Sequence, residues 1–217
     1  MPQIITASQA VAMVKPHDRI MFGTFLAVGA ACTLIDALVE AGTKKLHMIT
    51  IATDYDDRGV GKLVSNRQIK SVQCSHIGTN KASQSQMNAG EIEIELIPQG
   101  TLVERIRAAG AGLGGILTPT GVDTIVEDDK EKFEIDGKTY ILEYPIKADF
   151  AFIKAKKADK MGNLVYSKTA RNSNPVMAMA AKTTIAEVDE IVEIGKIDPE
   201  DVITPGIFVD YLVKREV

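Results

Sequence analysis

From Glu91 to Gly110 the hydrophobic period of the chain switches from strand-like to helix-like across the short break Pro98-Gln99-Gly100. Ile92, Ile94 and Leu96 alternate with Glu91, Glu93 and Glu95, the pattern of a half-buried strand. Beyond the break, Thr101 and Glu104 have capping-box spacing, and Leu102, Val103 and Ile106 share one face of a helix that ends at Gly110. A strand that runs through a tight polar turn into a helix commits this part of the chain to α/β packing. Such turns are where open α/β sheets bind ligands. The loop that follows matches G-x-G-x-x-G at Gly110, Gly112 and Gly115. A dinucleotide fingerprint needs a strand before the glycines and a helix after them, whereas here a helix precedes and Leu117-Thr118-Pro119 follows. The glycines are read as a closely packed loop.

The same alternation of elements extends through the chain. Thr6 and Gln9 form a capping box for a first helix that stops before Pro16, and Met1-Pro2-Gln3 leads into that helix rather than into a secretory leader. Arg19 to Phe22 reads as a strand, Gly23 to Ala31 as a small-residue loop, and Leu34, Ile35 and Leu38 as the buried face of a helix stopped by Gly42. Leu46 to Ile51 and Ile69 to Cys74 read as strands, with Asp54 to Gly61 as a polar loop between them. Thr79 to Met87 is a helix closed by Gly90. Asp136-Gly137 between two alternating runs signals a type I′ hairpin. Phe150 to Ile153 and Thr183 to Glu187 read as strands around the small-residue helix Val176 to Ala181, and Asp198-Pro199 opens a short helical turn. The expectation is one domain over residues 1–217, a three-layer α/β sandwich with a mostly parallel sheet and an inserted β-hairpin.

Composition narrows the function. With 25 Lys and Arg against 29 Asp and Glu, the net charge is -4 and no basic stripe exists, which argues against nucleic acid. No apolar run approaches a membrane span. Cys32 and Cys74 give no disulfide framework, which fits a cytoplasmic protein, and His17, His47 and His76 have no metal-ligand spacing.

Candidate chemistry is sparse. Gly59-Val60-Gly61-Lys62 is too short for a P-loop. The pairs Asp56-Asp57 and Asp128-Asp129 read as solvated loop charges, and His76 as a histidine at a strand end. The loop Gly23 to Gly29 joins a strand to a helix whose first amides would attract a phosphate or a polar carbonyl. Spacing alone leaves that reading level with a purely geometric role for its glycines. No nucleophile emerges.

Several ordered strings then carry a resemblance: Ser75-His76-Ile77-Gly78-Thr79-Asn80, Pro98-Gln99-Gly100-Thr101-Leu102, Thr118-Pro119-Thr120-Gly121, Lys156 to Asn163, Thr169 to Pro175 and Thr204-Pro205-Gly206-Ile207. From about Gln3 to Lys214 the chain resembles the alpha subunit of family I CoA-transferases. The resemblance implies the sandwich fold shared with ribose-phosphate isomerases. It implies exchange of CoA between an acyl-CoA and a free acid of the acetate, butyrate and acetoacetate class. It further implies that a glutamate of a beta subunit forms the glutamyl-CoA thioester, so that the chain would work as half of an α2β2 enzyme and carry no catalytic residue of its own.

CoA is then a substrate, with no tightly bound cofactor or metal. The family's CoA-associated loop, G-G-F-x-x-x-G-x-P, falls on Gly23, Thr24, Phe25, Leu26, Ala27, Val28 and Gly29, with Thr24 in place of the second glycine and Ala31 in place of the proline. Ile51 and Ala52 stand where relatives commonly carry an asparagine-containing pair. Gln99 remains as a polar contact for the acyl or oxyanion atoms. The alternatives are a stand-alone sugar-phosphate isomerase of the same fold, which needs its own carboxylate, and a non-catalytic metabolite-binding domain.

Overall fold

Strands with an apolar residue at nearly every position need cover on both faces, and the alternation with helices supplies it. A computed structural model describes residues 1–216. In chain order the first half holds β1 (Gln3–Ile5), α1 (Ala7–Val11), β2 (Arg19–Phe22), α2 (Cys32–Ala41), β3 (Leu46–Thr50), α3 (Gly61–Ser65), β4 (Ile69–Cys74), α4 (Lys81–Asn88), β5 (Glu93–Leu96) and α5 (Gln99–Gly110). Then come β6 (Ile116–Thr118), β7 (Lys132–Ile135), β8 (Lys138–Glu143), β9 (Ala148–Asp159), β10 (Leu164–Val165), α6 (Asn174–Ala180), β11 (Ala181–Val192) and β12 (Tyr211–Lys214). The main sheet has nine strands in the order β1-β12-β11-β9-β2-β3-β4-β5, all parallel except for β10, which pairs antiparallel with β9.

Helices α1, α2 and α3 cover one face, with Leu34, Leu38 and Leu63 buried against Phe22 and Phe152. Helices α5 and α6 cover the other, with Leu102, Ile106 and Met177 packed on Met21, Ile49 and Ile153. The expected three layers are present. From β2 the sheet grows one way through β3, β4 and β5, and from β9 it grows the other way through β11 and β12. The order therefore reverses between β2 and β9, and the loops leaving the carboxyl ends of these strands open a crevice there.

The local signals hold at several ends. Thr6 and Gln9 make both bonds of their capping box, Gly42 ends α2 in the left-handed region, and Asp136 and Gly137 turn the hairpin at φ +51° and +73°. The hairpin is part of a separate three-stranded antiparallel sheet, β6-β8-β7, tied to α5 through Arg105, whose guanidinium reaches the buried Glu143 at 3.3 Å and the Tyr144 carbonyl at 2.7 Å. Other expectations need correction. The chain enters through β1 before its first helix, and β1 lies beside β12 because its backbone groups find partners there. Strands β9 and β11 run far beyond Phe150–Ile153 and Thr183–Glu187, since lysines of one lie opposite acids of the other: Lys154 pairs with Asp189 at 2.8 Å and Lys157 with Glu190 at 3.3 Å. Cross-strand charge pairing of this kind keeps a polar stretch in the sheet. Leu96, expected on the buried side of its strand, is exposed because β5 is the sheet edge.

Candidate functional site

The crevice between β2 and β9 holds a cleft of about 920 Å³. Phe25, Leu26 and Val28 enter it from the loop after β2, and Ile51 from the end of β3. Gln99 and Val103 contribute from the start of α5, while Thr169, Asn172, Ser173 and Val176 come from the segment that leads into α6. One wall is therefore apolar, and the polar groups are an amide, hydroxyls and an asparagine. None of these lining residues is acidic, basic or a cysteine.

The β2 loop is held in an unusual shape. Phe25 and Val28 exchange backbone hydrogen bonds of 3.1 and 3.0 Å, with Leu26 and Ala27 between them at φ +51° and +66°. Left-handed backbone disfavours residues with a Cβ by roughly 1–2 kcal/mol each, so neighbours must hold the turn. On one side the fully buried Asp54 carboxylate accepts from the Thr24 hydroxyl at 3.1 Å, the Ala27 amide at 2.8 Å and the Val60 amide at 3.1 Å. Burial pushes the Asp54 carboxyl above its usual range, while those donors pull the other way. On the other side Asn172 donates to the Val28 carbonyl at 3.0 Å, and Asn174 donates to the Gly29 and Ala170 carbonyls at 3.2 and 2.9 Å.

The start of α2 is not open to an anion. Ala31 supplies no side-chain cap. Instead Glu187 of β11, distant in sequence, accepts from the Thr33 and Leu34 amides at 2.8 and 3.3 Å. The expected attraction of these amides for a phosphate is thus already satisfied by a protein carboxylate.

The loop residues named from the sequence divide by position. Phe25, Leu26 and Val28 line the cleft, whereas Gly23 and Thr24 are buried beneath it. Ala27 and Gly29 border a smaller cavity of about 220 Å³ beside Cys32, Lys154 and Arg215. Gln99 lines the cleft from the first position of α5, and Ile51 lies in its floor with Ala52 buried behind. His76 is exposed and serves through its carbonyl, which accepts from the Thr53 amide. Asp57 forms an exposed pair with Arg58, while Asp56 accepts from the Ala82 amide near the start of α4. Gly110 and Gly115 are packed tightly on Met179 and Leu142, and no residue from 110 to 115 lines the cleft.

The capping box at Thr101 is not formed. Helix α5 begins earlier, with Pro98 as its N-cap, so Thr101 is already within the first turn and Glu104 pairs with Arg107. The Thr101 hydroxyl is buried without a hydrogen-bond partner. Thr101→Val is accordingly expected to leave stability unchanged or raise it by up to about 1 kcal/mol. A working cap would instead lose about 1 kcal/mol. Thermal unfolding of the two forms decides between them.

Sequence reasoning missed the roles of Asp54, taken as part of a polar loop, and of Glu187. It noted Thr169 to Pro175 only as a similar string. An aspartate five residues before the Gly59-Val60-Gly61 turn has no local signal, because most of its partners, Thr24, Ala27 and Thr79, lie on other loops.

A doubly wound sheet whose cleft sits at the point of strand reversal defines an α/β ligand-binding protein. The chain belongs to the coenzyme A transferase family, whose description matches residues 4–215. It is 44% identical over 211 residues to the acetate CoA-transferase subunit alpha of Escherichia coli, covering 97% of this chain and 96% of that one. It is 48% identical over 201 residues to the acetoacetyl-CoA:acetate/butyrate CoA transferase alpha subunit of Clostridium acetobutylicum, covering 93% and 92%. In fold it is similar to an acyl-CoA transferase from E. coli O157:H7 solved as a thioester complex with CoA, at a TM-score of 0.90 and 24% identity. That match covers 99% of this chain and 50% of the solved one, so the chain spans half its length.

Proposed function

We propose that the chain is the alpha subunit of a short-chain acyl-CoA:carboxylate CoA-transferase, working with a beta subunit in an α2β2 assembly. The observation that carries this reading is the composition of the cleft, which has polar donors and an apolar wall but no carboxylate, thiol or amine lining it. The resemblance implies a route through a covalent enzyme carboxylate, and on that route the nucleophile comes from outside this chain, since none of the cleft-lining residues supplies it. The partner's glutamate would meet the acyl carbonyl in this cleft, with the Gln99 amide directed to the developing oxyanion. A sugar-phosphate isomerase would need its own base in the cleft and a free anion site at α2. The lining residues give it no base, and Glu187 occupies the helix amides.

Ile51 in the floor, with Ala52 behind it, favours an acid less polar or bulkier than acetoacetate, because buried hydrocarbon stands where the resemblance implies asparagine donors. CoA acts as a substrate and not as a resident cofactor, and the assembly works in the cytoplasm. Among the described residues no helix is long and apolar enough to cross a membrane.

The test is co-expression with the beta subunit and a CoA-exchange assay over acetate, butyrate, branched acids and acetoacetate. Specificity constants are expected to favour the saturated acids. Hydroxylamine or borohydride trapping in the presence of acyl-CoA is expected to label the partner chain. Label on this chain would overturn the half-enzyme reading, and a preference for acetoacetate would overturn the acyl assignment.

A further inference from the structure

The three crossover loops at the carboxyl ends of β2, β3 and β4 meet at one residue that does not line the cleft. Asp54 binds the β2 loop through Thr24 and Ala27, its own loop through the Val60 amide, and the β4 loop through its carbonyl, which accepts from the Thr79 hydroxyl at 2.6 Å. Its backbone is itself left-handed at φ +55°. A Cβ on Gly59 would stand 2.1 Å from the Asp54 carboxylate, so the neighbouring turn is shaped to admit this group. A buried carboxylate that satisfies donors on separate segments fixes their relative positions, because releasing any one leaves a polar group unpaired.

We propose that Asp54, with Thr24 as its partner, is a positioning residue of the cleft. Together they hold the Phe25–Val28 turn in the form that presents Phe25 and Leu26 to the acyl group. This rests on the functional reading above only for what fills the cleft. The pair sets where the apolar wall stands, and so acts on acyl-CoA binding more than on the bond-making step. Losing the Ala27 bond, the shortest of the Asp54 contacts to this turn, weakens what holds Leu26 and Ala27 in the left-handed region.

Asp54→Asn keeps the shape but turns an NH2 group toward amide donors, and Thr24→Val removes one hydroxyl. In the assembled α/β enzyme, Asp54→Asn is expected to raise the KM for acyl-CoA about tenfold or more, with kcat changed far less, since a hydrogen bond to a charged group is lost. Thr24→Val is expected to give a smaller rise of the same kind, and Thr24→Ser to restore most of it. A purely structural role would lower the melting temperature and leave KM unmoved, and that result would overturn the proposal.

Hydrogen–deuterium exchange on the chain alone gives a readout that needs no turnover. The amides of 24–29 are expected to exchange faster in Asp54→Asn than in the wild type at a temperature where both are folded. Equal rates would overturn the proposal. A wild-type assembly that transfers no CoA would instead bring down the functional reading, and the exchange comparison would still decide the role of Asp54.

Discussion

Gly23→Ala is expected to destabilise the chain by on the order of 3 kcal/mol and to lower kcat/KM about a hundredfold or more. An added Cβ would stand 1.8 Å from Asn174 Oδ1, 2.4 Å from its Cγ and 3.1 Å from its Cα. The side chain cannot simply swing away. Asn174 is fully buried, its Oδ1 accepts from the Lys154 amide at 2.9 Å, and its Nδ2 holds the Gly29 and Ala170 carbonyls. Moving it breaks the ties that join the β2 loop to β9 and to the entry of α6. Overpacking adds about 1–3 kcal/mol, and each buried group left unpaired adds about 1–3 more. Because Phe25, Leu26 and Val28 follow within the same loop, the cleft wall shifts with it, and a displacement near 1 Å at such a wall lowers rates about a hundredfold. Denaturant unfolding and the CoA-exchange assay check both effects. The double variant with Asn174→Gly is expected to be less destabilised than the sum of the two single variants. Additive losses, or an alanine form with wild-type melting, would show that Gly23 and Asn174 do not share this contact.

The same pair shows why the fold was more legible than the site. Periodicity and local caps are written in adjacent residues: Thr6 with Gln9, Leu34 with Leu38 and Gly42, Asp136 with Gly137. Each of these signals is borne out, and the alternation of strands and helices led to the correct layers. Strand lengths were read short where lysines entered β9, because their compensating acids lie on β11, far off in sequence. The cleft depends on such distant partners throughout. Gly23 to Gly29 were singled out by their place between a strand and a helix and by resemblance, and Gln99 by resemblance, but Asp54, Asn172, Asn174 and Glu187 act across loops and carry no spacing signal. Thr101 misled for a related reason. Its spacing to Glu104 marks a helix start, but the helix begins at Pro98 with Thr101 and Leu102 already packed into the core.

Glu187→Ala is expected to destabilise the chain by about 2–4 kcal/mol, while Glu187→Gln stays close to wild type at neutral pH. Alanine leaves the Thr33 and Leu34 amides without an acceptor at a helix start that has no side-chain cap of its own, and it opens a void in a fully buried position. Glutamine keeps the volume and an acceptor oxygen for those amides, and its NH2 replaces Oε1, which is buried with no partner. The pH dependence separates charge from shape. Burial pushes the Glu187 carboxyl above its usual range, opposed by the Leu34 and Thr33 amides and by the charges of Lys154 and Arg215. The folded chain therefore holds this proton to higher pH than the unfolded chain, whose glutamates titrate near ~4.3. The resulting stabilisation is fully present below that unfolded value and is lost as pH rises through the folded one. Other carboxylates titrate alike in wild type and Glu187→Gln, so the difference between their unfolding free energies isolates this group. Measured by urea unfolding from pH 7 down to pH 4, that difference is expected to move in favour of the wild type on acidification. A flat difference would mean that the α2 amides compensate the buried charge fully, and a difference moving the other way would mean that they overcompensate it.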